Sequence, residues 1–144
     1  MREEESLEYP ASIKVHAPCR AGVLVELAGE FDVSCLEAFG HALSRASGLG
    51  RRIFVDLAGV KFMDTLCLRK LASGFDAGAG SLKLCRPSWQ FRLGVAACGM
   101  EESFEILPDD DPGYETLISE VCECERTVRT AGPSQHHLYM LAAL

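Results

Sequence analysis

No apolar run in this 144-residue sequence approaches the ~20 residues needed to cross a bilayer, so a helical membrane span is not expected. The first residues, Met1-Arg2-Glu3-Glu4-Glu5, are acidic where a signal peptide is basic and then apolar, which makes the cytoplasm the expected location. Basic patches are scarce as well. Acidic residues number 21 against 14 basic ones, the formal charge is −7, and apart from Arg51-Arg52 and Arg69-Lys70 the cations are scattered. Such a field repels polyanions, so neither nucleic acid nor a membrane is an expected partner. The sequence also lacks a Gly-x-Ser-x-Gly turn and a Walker-type loop, and with them the local devices that expose a nucleophile or cradle a phosphate. No enzymatic activity is expected.

Cysteine is plentiful, but the number is odd and no export signal accompanies it, so the seven cysteines read as reduced thiols, several of them packed as small hydrophobes. Cys122-Glu123-Cys124, followed by His136-His137, carries the ligand types of a zinc site without the Cys-x2-4-Cys spacing of a knuckle. Neither metal nor cofactor is expected. A redox role for the Cys122/Cys124 pair has as little support, because no adjacent cation lowers a thiol pKa there. His16 falls in a strand and His41 in a helix, where a satisfied structural role is the expectation.

The length suits one domain. Residues 1–10 are charged, end at Pro10, and read as a flexible lead-in. Ser12-Ile13-Lys14-Val15-His16 alternates polar and apolar as a strand does, Pro18 to Gly22 makes a turn, and Val23 to Ala28 is a second, antiparallel strand. Gly29-Glu30-Phe31-Asp32 reads as a loop. Leu36, Phe39 and Leu43 form the apolar stripe of a helix over Val33 to Ala46, stopped at Ser47-Gly48-Leu49-Gly50.

Arg52 to Leu57 is almost continuously apolar, the mark of a strand covered on both faces. Asp64 is placed to cap a helix running through Leu68, Leu71, Ala72 and Phe75 to Gly78. A strand over Ser81 to Cys85, a helix opened by Pro87-Ser88, and a short strand over Phe104 to Leu107 complete the order. Trp89 and Phe91 read as core anchors, although an exposed aromatic at that place would suit docking. The fold class is α/β, a single domain with a mixed central sheet of about five strands and crossover helices. Its boundaries are 11–107, followed by an acidic loop and C-terminal helix over 108–126 and a tail over 127–144 that ends in the apolar run Leu138 to Leu144. That run either packs back on the domain or covers a partner's groove.

Three stretches in this order carry a resemblance: Gly29-Glu30-Phe31-Asp32 after the second strand, Val55-Asp56-Leu57-Ala58-Gly59-Val60 at the third, and Phe62-Met63-Asp64-Thr65 leading into the second helix. Over about residues 11–107 the chain resembles a STAS domain, the sulfate transporter and anti-sigma factor antagonist family. The resemblance implies a binding module whose partner is a kinase-like anti-sigma factor, which phosphorylates a serine or threonine at the start of the second helix. The family's run there is Asp, two small hydroxyl residues, Gly and Leu. Here it reads Asp64-Thr65-Leu66-Cys67-Leu68, so Leu66 stands at the acceptor position and ordinary phosphorylation has no oxygen to use.

Two readings of Thr65 stay open, a phosphorylation candidate one residue early or a hydroxyl that supports the Asp64 cap. Glu30 and Asp32 match family positions near the acceptor that contribute to partner recognition; the alternative is a solvated turn in which Asp32 caps the first helix. By resemblance the expected partner-binding residues are Glu30, Asp32, Asp64 and Leu66. The expected function is an anti-sigma factor antagonist-like module that regulates transcription indirectly, without the usual phosphorylation switch. The alternatives are a ligand-sensing or scaffold STAS domain, or a thiol or metal enzyme built on Cys122 and Cys124.

Overall fold

In the computed structural model of the chain, residues 10–49, 52–76 and 81–131 are described; the lead-in and the tail, with His136 and His137, lie largely outside them. Four strands form one sheet in the order β1 (Ser12–Val15), β2 (Val23–Phe31), β3 (Arg52–Met63), β4 (Ser81–Cys85). The first pair is antiparallel, with Val15 opposite Val25, and the other two pairs are parallel, with Val25 opposite Val55 and Val55 opposite Leu84. Parallel neighbours require crossovers, supplied by α1 (Leu36–Leu49) and α2 (Thr65–Asp76). The chain continues into α3 (Trp89–Ala97) and α4 (Pro112–Ala131). A short 3-10 turn, Val33–Cys35, precedes α1, and another, Glu101–Ser103, follows α3.

Alternation sorts the sheet into two faces. Val23, Val25, Leu27, Ile53, Val55, Leu57, Leu82 and Leu84 pack against Phe39 and Leu43 of α1, Leu68 and Leu71 of α2, and Phe91 and Val95 of α3. On the other face Leu24, Phe54 and Cys85 meet Tyr114, Leu117 and Val121 of α4. The mixed sheet and crossover helices are thus present, but the fifth strand is reduced to a single parallel bridge between Leu84 and Ile106. Two hydrogen bonds hold it, Leu84 N–H to Glu105 O at 3.0 Å and Leu107 N–H to Leu84 O at 2.8 Å.

Gly29-Glu30-Phe31 is strand, not loop. β2 runs on to Phe31 beside a β3 that runs on to Met63, and the pairing survives by shifting register twice, between Glu26 and Ala28 and between Gly29 and Glu30. Gly29 takes φ +92°, open to glycine and strained for other residues. Across the junction a Cβ on Gly59 would come within 2.8 Å of Ala28 Cβ. Gly29, which reads as part of a loop, and Gly59 therefore sit beside the register shifts, a position glycine takes inside strands. Trp89 departs from expectation as well: Phe91 is buried, but Trp89 is 69% exposed. Residues two apart on a helix point away from one another, so both cannot face one core.

Candidate functional site at the ends of β2 and β3

The extended strands deliver Glu30 to Asp32 and Phe62 to Asp64 side by side at one end of the sheet. Glu30 pairs with Phe62 and Phe31 with Met63, and the Asp64 N–H donates to Phe31 O at 3.0 Å. Asp64 begins α2 as its sequence position promised: Oδ1 accepts the Cys67 N–H at 2.9 Å, which satisfies one of the orphan donors of the first turn. Asp32 caps the 3-10 turn, where its Oδ1 accepts from the Ser34 hydroxyl and from Ser34 N–H at 3.0 Å. Those bonds hold its carboxyl below the usual carboxylate range.

Cys67, at the position where the family carries glycine, is fully buried, and its thiol donates to Asp32 O at 3.5 Å, tying the helix start to the acidic loop. Burial, with the neighbouring Asp64 carboxylate and Cys35, pushes that thiol up to about 12, so it packs and does not react. Thr65 is exposed, and its Oγ1 lies 3.4 Å from Cys98 Sγ just past α3; the contact of this hydroxyl is thus with the next helix. Leu66 is 45% exposed.

The structure therefore gathers Glu30, Asp32, Asp64, Thr65 and Leu66 around one end of the sheet. It adds apolar side chains that pattern reading did not select: Val33, Phe62 and Leu93 are exposed along with Trp89. Trp89 and Leu93 lie four apart and share a face of α3. Ser88 anchors that helix beside β3, since its hydroxyl donates to Val60 O at 2.6 Å and accepts the Phe91 N–H at 3.1 Å. The signal for Phe62 lay in the strand alternation, which carries it to the face opposite buried Met63 once β3 is allowed to run past Gly59.

A second constellation lies on the sheet face under α4. Asp56 is buried, and its Oδ2 accepts from Tyr114 Oη at 2.6 Å and from Arg86 Nη2 at 3.0 Å, while Oδ1 accepts the Ala58 N–H at 2.9 Å. Burial and the Asp56 bond raise the Tyr114 phenol well above its ordinary value. Arg86 adopts φ +51°, a left-handed conformation unusual for its type. Beside this group runs an open cleft of about 440 Å³ lined in part by His16, Glu26, Asp56, Arg86, Tyr114 and Glu125. His16 is not a satisfied core histidine: it is buried just past β1 with neither nitrogen in hydrogen-bond geometry, Nε2 3.4 Å from Glu26 and Nδ1 3.3 Å from Glu125. The two nitrogens address different carboxylates, so the set does not converge on one point as metal ligands must.

The mixed sheet, its crossover helices and the helix start beside an acidic turn match a known domain family. The chain belongs to the STAS domain family, whose model matches residues 12–117. No curated protein matches its sequence. Among solved structures, it is similar to an anti-sigma factor antagonist from Mycobacterium paratuberculosis, with a TM-score of 0.63 and 17% identity over 74% of this chain and 93% of that one. It is also similar to the anti-sigma factor antagonist SpoIIAA in its unphosphorylated form, with a TM-score of 0.54 and 20% identity over 69% of this chain and 90% of that one. A third similarity is to the protein TM1081, with a TM-score of 0.55 and 14% identity over 78% of this chain and 87% of that one. Among the described residues no helix is long and apolar enough to cross a membrane.

Proposed function

We propose that this chain is a cytoplasmic anti-sigma factor antagonist-like module that occupies an anti-sigma factor of the kinase-like type and so regulates transcription indirectly. The observation that carries the reading is the composite surface at the ends of β2 and β3, where exposed Leu66 and Phe62 stand beside Glu30, Asp32 and Asp64. Apolar side chains ringed by charge suit a protein partner, the former supplying desolvation energy and the latter register. Leu66 at the acceptor position leaves the usual switch without its hydroxyl. Thr65 is the remaining hydroxyl, and a phosphate there would gain from the α2 N-terminus while being repelled by Asp64.

The test is affinity capture from host lysate with the wild-type chain and with the double variant Asp64→Ala/Leu66→Asp, followed by incubation with ATP and phosphopeptide mapping. Retention of a kinase-like anti-sigma factor by wild type alone, with no phosphate on the chain, supports the reading. Capture of the same proteins by both forms removes the surface from the argument, and phosphate on Thr65 removes the insensitivity. The cleft under α4, lined by His16, Asp56, Arg86 and Tyr114, favours a second reading as a ligand-sensing STAS domain, for which a thermal shift with one small molecule is the corresponding test.

A further inference from the structure

The geometry points to a second, covalent state of the protein: Cys19 and Cys124 form a thiol pair that hydrogen peroxide converts into a disulfide, stapling α4 to the turn between β1 and β2. All seven cysteines are free thiols, and these two sulfurs lie 3.6 Å apart although the residues are separated by 105 positions. Closing that gap to the ~2.05 Å of an S–S bond asks for about 1.5 Å of movement from two part-buried side chains. The pair sits within a seam where the turn and the C-terminal half of α4 already meet. Ala21 N–H donates to Glu120 Oε1 at 2.9 Å, and His16 Nδ1 lies 3.3 Å from Glu125. Cys122, two residues from Cys124 in sequence, lines the cleft and is exposed. One turn of helix cannot bring residues two apart to face each other, whereas the distant turn can.

The environment assigns the order of events. Burial first, then the contact with Cys124 and the nearby Cys124 and Glu120 charges, pushes the Cys19 thiol up to about 12, so peroxide attack begins at the other sulfur of the pair, Cys124. The Cys124 thiolate attacks one peroxide oxygen, the O–O bond breaks, and the departing hydroxide takes up a proton as water, leaving Cys124 as a sulfenic acid. The Cys19 sulfur then attacks the Cys124 sulfur, the S–O bond breaks, and the departing hydroxide carries off the Cys19 proton as water. Two thiols and one peroxide thus give one disulfide and two waters. The new bond fixes α4 over the second sheet face and constrains the unfolded chain across most of the domain.

The experiment is peroxide treatment of the dilute full-length chain after removal of reductant, read by intact mass and by a non-reducing peptide map. The expected result is a loss of about 2 Da with Cys19 and Cys124 in one cross-linked peptide, reversed by dithiothreitol, and a higher thermal midpoint for the oxidised form. Cys122→Ser keeps the cross-link, and Cys19→Ser loses it and instead labels with dimedone at Cys124. Oxygen addition without a cross-link in wild type overturns the assignment. So does a cross-link that joins Cys124 to any other cysteine, or an unchanged mass loss in Cys19→Ser.

Discussion

Substitution of Asp64 separates a helix cap from a docking charge. Its Oδ1 accepts the Cys67 N–H at 2.9 Å, while its own N–H is held by Phe31 O at 3.0 Å, so a change of side chain leaves the backbone bond in place. Removing an Asp N-cap costs ~0.5–2 kcal/mol. The lost interaction between a carboxylate and the positive end of α2 adds ~0.3–1 kcal/mol, part of it already counted in the cap. The Cys67 N–H left behind belongs to a fully buried residue, which puts Asp64→Ala toward the upper half of that range, at ~1–2 kcal/mol. Asp64→Asn keeps an acceptor oxygen in the same place and loses only the charge, for a cost of ~0.3–1 kcal/mol. Urea unfolding followed by far-ultraviolet circular dichroism reads both, and equal slopes for the two variants and wild type validate the comparison. An Asp64→Ala protein within ~0.3 kcal/mol of wild type would refute the cap, and equal losses for Asn and Ala would show that charge and not the acceptor matters. Because Asp64→Asn stays folded, its loss of the captured partner would isolate the part the carboxylate plays in docking.

Tyr114→Phe removes the 2.6 Å bond to a buried carboxylate while keeping the ring beside Phe54, and is expected to cost ~1.5–3 kcal/mol in urea unfolding; a loss under ~0.5 kcal/mol would show that Arg86 and the Ala58 N–H satisfy Asp56 without it. Burial first, and nearby carboxylates second, push Cys67 and Cys85 up to about 12, so the native state holds protons that unfolded thiols release above ~8.5; the resulting stability is intact below that pH and is lost as pH rises toward about 12. The thermal midpoint should therefore fall from about pH 9 upward, a decline that a flat profile would contradict, and native-state thiol titration near pH 8 should reach Cys98 and Cys122 before Cys67 and Cys85. Trp89→Ala together with Leu93→Ala should leave stability within ~0.5 kcal/mol, since both side chains are exposed, yet weaken partner capture; a large loss of stability would mean that they pack and do not dock.

What was legible in the sequence is what local pattern controls. The apolar run Ile53 to Leu57 announces a buried parallel strand, and Ser88 and Asp64 announce helix starts. The extension of β2 was hidden because Gly29 is a loop signal to a local reading, and the register shifts beside Gly29 and Gly59 appear only when the two strands lie side by side. Trp89 was misplaced because aromatic character was weighed without the angle between Trp89 and Phe91. Asp64 could be assigned a role from its neighbours. No local rule brings Thr65 to Cys98, Tyr114 to Asp56 or Cys19 to Cys124, since each contact is made by the path of the chain in space.

The proposed staple and the proposed docking surface occupy opposite ends of β2, and that placement yields a further expectation. β2 begins at Val23, next to the turn that carries Cys19, and finishes at Phe31, beside Asp64. Nine residues of strand at ~3.3 Å each hold the two ends somewhat less than 30 Å apart, given two register shifts on the way. Between them lie paired strands with buried side chains on the α1 and α2 side, and interiors packed in this way resist graded deformation. Coupling over such a span needs an element with two discrete arrangements that both sites bias. α4 is the element the staple would restrain, and its described contacts are with the face carrying Leu24, Phe54 and Cys85, not with Asp32, Asp64 or Leu66. Oxidised and reduced protein should therefore bind a captured partner with affinities within about threefold of one another, or ~0.6 kcal/mol. A tenfold difference measured by titration calorimetry on the two purified forms would make α4 part of the recognition mechanism and turn the thiol pair from a staple into a switch.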